Sequence, residues 1–491
     1  MSEIINKLKI LDILDKTKKP SQSQVEAVLA KSMSLGRLSL EETAILLNSD
    51  DPHTYKTILE TAFKLKNMIY GNRIVFFAPL YISNYCTNDC LYCAFRVKNK
   101  ITRNALNERE IHAETRLLLD QGHKRVLLVA GESYPHGKGL DYILDSIDTV
   151  YSVKHNMSSI RRINVNIAPL GVEDFKRLKA KNIGTYQIFQ ETYEPETYAY
   201  VHPSGPKSDY RFRLEAIDRA FEAGFDDAGI GVLFGLADWK FEILAMLQHI
   251  EHLEAKFSMG PHTISVPRIE PAIGSDLSFH PPAPVSDEDF KKLVAILRLA
   301  VPYTGIILST RENPDIRRQV LNLGVSQISA GSRTNPGGYA KSETEHSEPN
   351  STALANADTV SAKLDIAAAV IKTGISAEQF SLGDHRTLDE VIYDILQMGF
   401  LPSFCTACYR LGRTGLDFME YAKPGDIRKK CDPNGLLTFK EYLCDYASEK
   451  VKELGEKKLI EWVAEIDNPT TKRFVEKGLK KIEDGERDIY I

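Results

Sequence analysis

The apolar pattern changes period at residue 74. Before it, apolar residues recur at helical spacing, as in Ile58, Leu59, Ala62, Phe63 and Leu65, and Ser39-Leu-Glu-Glu42 forms a capping box ahead of Ala44–Leu47. Residues 1–73 therefore read as a helical N-terminal extension. From 74 onward, strand-like runs at 74–82, 125–130, 163–168, 184–191, 226–233, 262–269, 303–310 and 325–330 alternate with amphipathic segments near 108–121, 139–154, 171–181, 209–223, 238–257, 286–300 and 313–323. Eight such units predict an α/β fold, a closed (β/α)8 TIM-type barrel over 74–335. An open doubly wound sheet is the alternative, and the regularity of the units favours closure. Asn164, Asn166, Gln187 and Gln190 are unusually polar for parallel strands buried on both faces. They suit a lumen that holds ligands.

After the eighth strand the pattern loosens. Residues 331–357 form a long polar loop, 358–373 are apolar enough for a helix packed on the barrel, and Thr387-Leu-Asp-Glu390 caps a helix through Met398. From 437 the tail is charged and helical, so 336–491 are expected to form a mainly helical C-terminal domain.

Composition narrows the function classes. A net charge of −5 over 491 residues argues against nucleic acid as a partner. No apolar run is long enough for a membrane span and the N-terminus has no signal-peptide h-region, which predicts a cytoplasmic protein with no membrane partner. Seven cysteines in so long a chain make no disulfide framework, yet six fall into two groups.

The first group is Cys86-Thr-Asn-Asp-Cys90-Leu-Tyr-Cys93, directly after the first strand. Three thiols on one loop can hold a 4Fe–4S cube and leave one iron open to an outside ligand. A zinc site is the alternative, although zinc knots usually bring a second cysteine or histidine pair, which is not near here. Ala130-Gly131-Glu132 ends the second strand, Glu191 the fourth, Leu308-Ser-Thr-Arg-Glu312 the seventh, and the eighth runs into Ile328-Ser-Ala-Gly-Ser-Arg-Thr-Asn-Pro-Gly-Gly-Tyr339. Barrel enzymes carry their catalytic groups at such carboxyl ends. Gly229-Ile-Gly-Val-Leu-Phe-Gly235 lies on strand five without the context of a dinucleotide fingerprint, so its glycines are read as allowing close approach to a ligand. The second thiol group is Cys405-x2-Cys408-x22-Cys431, again three thiols without an obvious fourth ligand; a Cys3His zinc site using His385 is the structural alternative. Cys444, among Tyr442, Leu443 and Tyr446, reads as a core residue.

The first cysteine motif resembles that of the radical S-adenosylmethionine (SAM) superfamily. The resemblance implies a reducible cluster on Cys86, Cys90 and Cys93 whose open iron takes SAM and yields a 5′-deoxyadenosyl radical. It also implies SAM contacts from Gly131 and Glu132 (an Ala-Gly-Glu variant of Gly-Gly-Glu), from Glu191 and Arg213, and from Tyr92 near the adenine. Strand ends seven and eight resemble the aromatic amino-acid lyase branch, which assigns the substrate carboxylate to Arg311 and Ser329. Joined to the second thiol group, the chain is similar to the HydG family, the tyrosine lyases that mature iron-only hydrogenases. That resemblance implies an auxiliary 4Fe–4S cluster on Cys405, Cys408 and Cys431 with an additional iron held by His262. It implies cleavage of L-tyrosine into p-cresol and dehydroglycine, conversion of the latter to CO and cyanide, an electron donor such as a ferredoxin or flavodoxin, and other maturation proteins and the hydrogenase as acceptors. The tyrosine lyase of thiamine biosynthesis and a non-catalytic iron–sulfur scaffold are the competing readings. His262 opens strand six and should face the amino-end mouth, about 20 Å from the other. A polar channel through the lumen is expected to join the two.

Overall fold

A computed structural model describes residues 3–133, 137–340 and 378–491. Eight parallel strands form a closed barrel: β1 (Arg73–Ser83), β2 (Arg125–Ala130), β3 (Arg162–Asn166), β4 (Tyr186–Gln187), β5 (Ala228–Gly231), β6 (Thr263–Ser265), β7 (Gly305–Leu308) and β8 (Gln327–Ser329). Pairing of Phe76 with Ile328 closes it. Between Arg73 and Ser83 at its ends β1 carries only apolar and aromatic residues, as suits a strand buried on both faces. Ile74, Phe76, Ala78, Leu80 and Ile82 enter the main core under the helices, while Val75, Phe77, Pro79 and Tyr81 face the lumen.

Strand four is far shorter than the expected 184–191. Its ladder nevertheless continues irregularly, through Ile188 N–H to Gly229 O at 3.0 Å and Gln190 N–H to Gly231 O at 3.0 Å. Gln190 does not line the lumen; its amide donates to Tyr210 O at 3.4 Å, on the helix layer. The helix expected over 209–223 is two pieces, Tyr210–Leu214 and Ala216–Glu222, and an unforeseen helix, Pro195–Val201, precedes them.

The N-terminal helices Leu40–Leu47 and Pro52–Tyr70 lie against Asp287–Ala300, where the buried Lys292 ammonium donates to Leu47 O and Ser49 O. Both anticipated capping boxes form, at Ser39 and Thr387. The chain beyond the barrel adds a ninth strand, β9 (Leu401–Ser403), parallel to β1 at Arg73–Val75. Three short residues including Pro402 carry too little pattern to read as a strand, and an edge is where Pro is tolerated. β9 ends one residue before Phe404, so it sets the second thiol group against the barrel. Helices Arg428–Asp445, Glu449–Ala464 and Pro469–Glu483 complete the tail. Cys444 is half-buried rather than in the core, since the last turn of its helix rises to the surface. The helix expected at 358–373 and most of the polar loop before it lie outside the described residues. No helix among the described residues is long and apolar enough to cross a membrane.

Candidate active site at the two mouths of the barrel

The carboxyl-end mouth opens into a cavity of about 180 Å³ lined by Cys86, Cys90 and Cys93. Their loop leaves β1 and is tied down by its own polar residues. Thr87 Oγ1 donates to Glu132 O at 3.0 Å, and Asn88 donates to Glu132 Oε2 at 2.7 Å while accepting from Lys207 N at 2.8 Å. The buried Asp89 carboxylate accepts from Arg96 Nε at 2.7 Å. Tyr92, expected near an adenine, lines the cavity with its hydroxyl 2.8 Å from His202 Nε2. All three thiols are free, and burial raises each above its ordinary pKa, Cys93 to about 11. Such thiols have no reason to ionise until a cation binds them, which suits cluster ligation. Among the described residues no three His, Cys, Asp or Glu side chains converge as ligands of a single ion would; thiolates of a cube bind separate irons and stand further apart.

Beside the thiols lies a buried charge network. Arg213 donates to Phe189 O and to Glu132 Oε1, both at 2.7 Å, and its Nη2 is 3.8 Å from Glu191 Oε1. Lys207 Nζ donates to the same Glu191 oxygen at 2.6 Å. Burial alone would raise the Glu132 carboxyl, but the Arg213 and Lys207 charges, with hydrogen bonds from Arg213 and Asn88, hold it below the usual range. Two carboxylates and two cations in one wall can recognise both an ammonium and a carboxylate. Gly131 is required sterically, since a Cβ there would stand 2.2 Å from Tyr85 O.

Glu191 is held with φ of 71°, a left-handed conformation unfavourable for a residue with a side chain. The buried Glu242 fixes the following residues by accepting from Thr192 Oγ1 and from Tyr193 N at 2.9 Å. Burial pushes Glu242 from 4.5 up to about 8. The folded state thus keeps a proton that the unfolded chain releases above 4.5, so this group's contribution to stability falls as pH rises from about 4.5 to about 8. Glu242→Gln is expected to flatten that slope and to unfold at a higher temperature than the native chain above pH 8; parallel melts across pH give the answer.

Arg311 and Ser329, the expected substrate contacts, line the same cavity. Glu312 is not the partner of Arg311; it pairs with Arg268, with Nε to Oε1 at 2.9 Å. The Arg311 guanidinium lies 3.2 Å over the Phe380 ring, and Ser329 Oγ accepts from Thr310 N at 3.2 Å.

At the amino-end mouth a smaller cavity, about 50 Å³, is lined by Cys405, Cys408, Cys431 and His262. β9 delivers the first two thiols, and the helix Arg428–Asp445 brings the third. A hydrogen bond from Cys408, with the nearby Arg73 charge, holds Cys431 low and prone to ionise, while its partner Cys408 is pushed up. Burial lowers His262 against the opposing Asp227 charge, with Arg125 and Arg73 adding to the lowering, which favours the neutral imidazole that a metal ligand needs. Arg125 also donates to Cys405 O at 2.8 Å, and Tyr409 sits beneath Arg162 at 4.7 Å. His385 does not line this cavity, which removes the main support for a Cys3His zinc site.

Consecutive inward positions on four strands divide between the cavities: Val75 and Phe77, Arg125 and Leu127, Gly305 and Ile307, Gln327 and Ser329. Such positions are about 7 Å apart, so the two cavities are lined by adjacent layers of inward side chains. The lumen between them is not purely apolar. Asn164 accepts there from Thr185 N at 3.1 Å, Gln187 lines the upper cavity, and Thr263 Oγ1 is buried with no hydrogen-bond partner among the described residues. A Cβ on Gly229 would stand 2.6 Å from that hydroxyl, so glycine keeps the space open.

Sequence reasoning missed Lys207, Gln379 and Asp227. Lys207 sits in a Gly/Pro-rich loop with nothing local to mark it. Gln379, which donates to Cys93 Sγ at 3.7 Å and accepts from Tyr81 at 2.7 Å, returns from nearly 300 residues away.

Residues 80–248 match the radical SAM superfamily, and residues 265–401 match the Biotin and Thiamin Synthesis associated domain. The 2-iminoacetate synthase of Salmonella typhimurium is 32% identical over 65% of this chain and 82% of its own length. A crystal structure of HydG, a maturase of the [FeFe]-hydrogenase, is 46% identical with TM-score 0.91, covering 100% of both chains. HydG from Carboxydothermus hydrogenoformans is 40% identical with TM-score 0.79, covering 96% of this chain and 97% of its own.

Proposed function

We propose, for a chain that belongs to the HydG family of radical SAM lyases, that L-tyrosine is cleaved at Cα–Cβ at the upper mouth and its dehydroglycine fragment converted to CO and cyanide at the lower one. The end product in this reading is an iron–carbonyl–cyanide unit for the active site of an iron-only hydrogenase. When bound, the upper cluster and SAM supply a 5′-deoxyadenosyl radical that takes hydrogen from the substrate amino group. Cys86, Cys90 and Cys93 hold that cluster. Glu132, Glu191 and Arg213, joined by Lys207, orient SAM, and Arg311 with Ser329 holds the tyrosine carboxylate. The barrel wall excludes water from the radical. Cys405, Cys408 and Cys431 hold the auxiliary cluster, with His262 on an additional iron.

The observation that most supports two coupled steps is the pair of thiol triads at opposite mouths of one barrel, reached through adjoining inward positions. Dehydroglycine, small and polar, would pass down the lumen beside Gln187, Gly229 and Thr263. Anaerobic incubation with SAM, a reductant and labelled tyrosine tests the reading by assay of p-cresol, CO and cyanide. No p-cresol would indicate an iron–sulfur scaffold. p-Cresol without CO or cyanide would indicate a thiamine-type lyase, the runner-up favoured by the likeness to 2-iminoacetate synthase.

Arg311→Ala is expected to raise the KM for tyrosine about 10- to 100-fold, the usual loss for one charged hydrogen-bonding contact. The Kd for SAM should change far less, because Arg311 stands apart from the Glu132–Arg213–Lys207 network. An equal rise in both constants would remove Arg311 from the tyrosine site.

A further inference from the structure

Asp227 is a buried carboxylate, 2% exposed, and neither oxygen has a hydrogen-bond partner among the described residues. An unsatisfied buried carboxylate is costly, so its retention calls for a partner. His262 Nδ1 stands 3.5 Å from its Oδ2. The barrel ladder sets this juxtaposition, because His262 N–H donates to Ala228 O at 2.8 Å, one residue beyond Asp227. Two other polar groups face this carboxylate without closing a hydrogen bond to it: Thr185, whose Oγ1 also lies 2.9 Å from the Tyr409 hydroxyl, and Arg125, which donates through one terminal nitrogen to Cys405 O while its Nε has no partner among the described residues.

We propose that Asp227 is a positioning residue for the auxiliary iron: it accepts the Nδ1–H of His262, selects that tautomer, and so leaves the Nε2 lone pair for the metal. A carboxylate behind a ligating histidine fixes the ring and increases its basicity. The remaining wall of the cavity, with Arg73 and Arg125, carries positive charge that would otherwise discourage a cation. Asp227 supplies the opposing negative charge on the histidine side. The inference rests on the reading that His262 holds an iron.

The test uses the full chain reconstituted anaerobically with iron and sulfide, comparing Asp227→Ala, Asp227→Asn and His262→Ala. Iron retention is followed during chelator titration, together with the Mössbauer signature of a high-spin ferrous site and the histidine nitrogen hyperfine coupling. The cluster signal of the upper site, on residues remote from Asp227, reports whether each variant is folded. Asp227→Ala should retain the additional iron about 10- to 100-fold less tightly. The isosteric Asp227→Asn should fall between it and the native chain, since its amide oxygen still accepts the Nδ1–H without the charge. If His262→Ala loses the iron while both Asp227 variants hold it as the native chain does, the role of Asp227 is overturned and that of His262 stands. If His262→Ala also holds it, the reading of His262 as a ligand fails, and this inference with it.

Discussion

Cys90→Ser is expected to abolish formation of 5′-deoxyadenosine and, with it, p-cresol, CO and cyanide. Cys90 is the middle thiol of its loop and 5% exposed, packed with Tyr92, Val201, Leu233 and Leu236. Its neighbours cannot substitute for it, because no other cysteine lines the upper cavity besides Cys86 and Cys93. A serine oxygen is a harder and less polarisable donor than a thiolate, poorly matched to an iron–sulfur corner. With two thiolates left, a cube would have two open irons instead of one. The check is anaerobic product analysis beside the optical and EPR spectra of the reconstituted protein. Measurable 5′-deoxyadenosine from this variant would show that the Cys86–Cys93 loop is not the site of SAM cleavage.

The double replacement Cys405→Ser with Cys408→Ser should separate the two halves of the reaction. p-Cresol is expected to persist within about twofold of the native rate, whereas CO falls below detection; the factor reflects the near-additive behaviour of distant sites. The argument is spatial. These thiols line the amino-end cavity, whereas every group assigned to SAM or tyrosine lines the other. The seam between them is the lumen, where Arg125 lines the lower cavity and donates to Cys405 O while Leu127, the next inward residue of β2, lines the upper one. Loss of p-cresol in proportion to CO would mean that the lower thiols serve folding of the barrel floor or the first cleavage itself.

The Cys86–Cys93 group and the Cys405/Cys408 pair were legible in the sequence because each lies on one short loop and spacing survives in one dimension, whereas Cys431 joins the pair only through the helix Arg428–Asp445. The eight β/α units were legible for a similar reason, since strand and helix periods are written locally. So were the two capping boxes, which need only four consecutive residues. Strand four was overextended, because polar and glycine-rich residues keep the ladder while departing from regular strand geometry. Gln190 illustrates a different limit. Alternation assigns it a side only if the strand stays regular, and the ladder past Gln187 does not.

What the tertiary structure alone decided is which distant groups share a wall. His262 could be placed at the amino-end mouth by its position at a strand start, but its company with Cys405, Cys408 and Cys431 required β9 to dock on β1. Lys207, Gln379 and Asp227 carry no motif, and their placement beside charges or thiols arises from chain segments tens to hundreds of residues apart. Type and spacing of the cysteines within each loop are thus properties of short stretches of sequence. Their electrostatic setting, and the path between the two mouths, are properties of closure. A barrel brings eight strand ends to each rim, and only the closed sheet determines which side chains meet there.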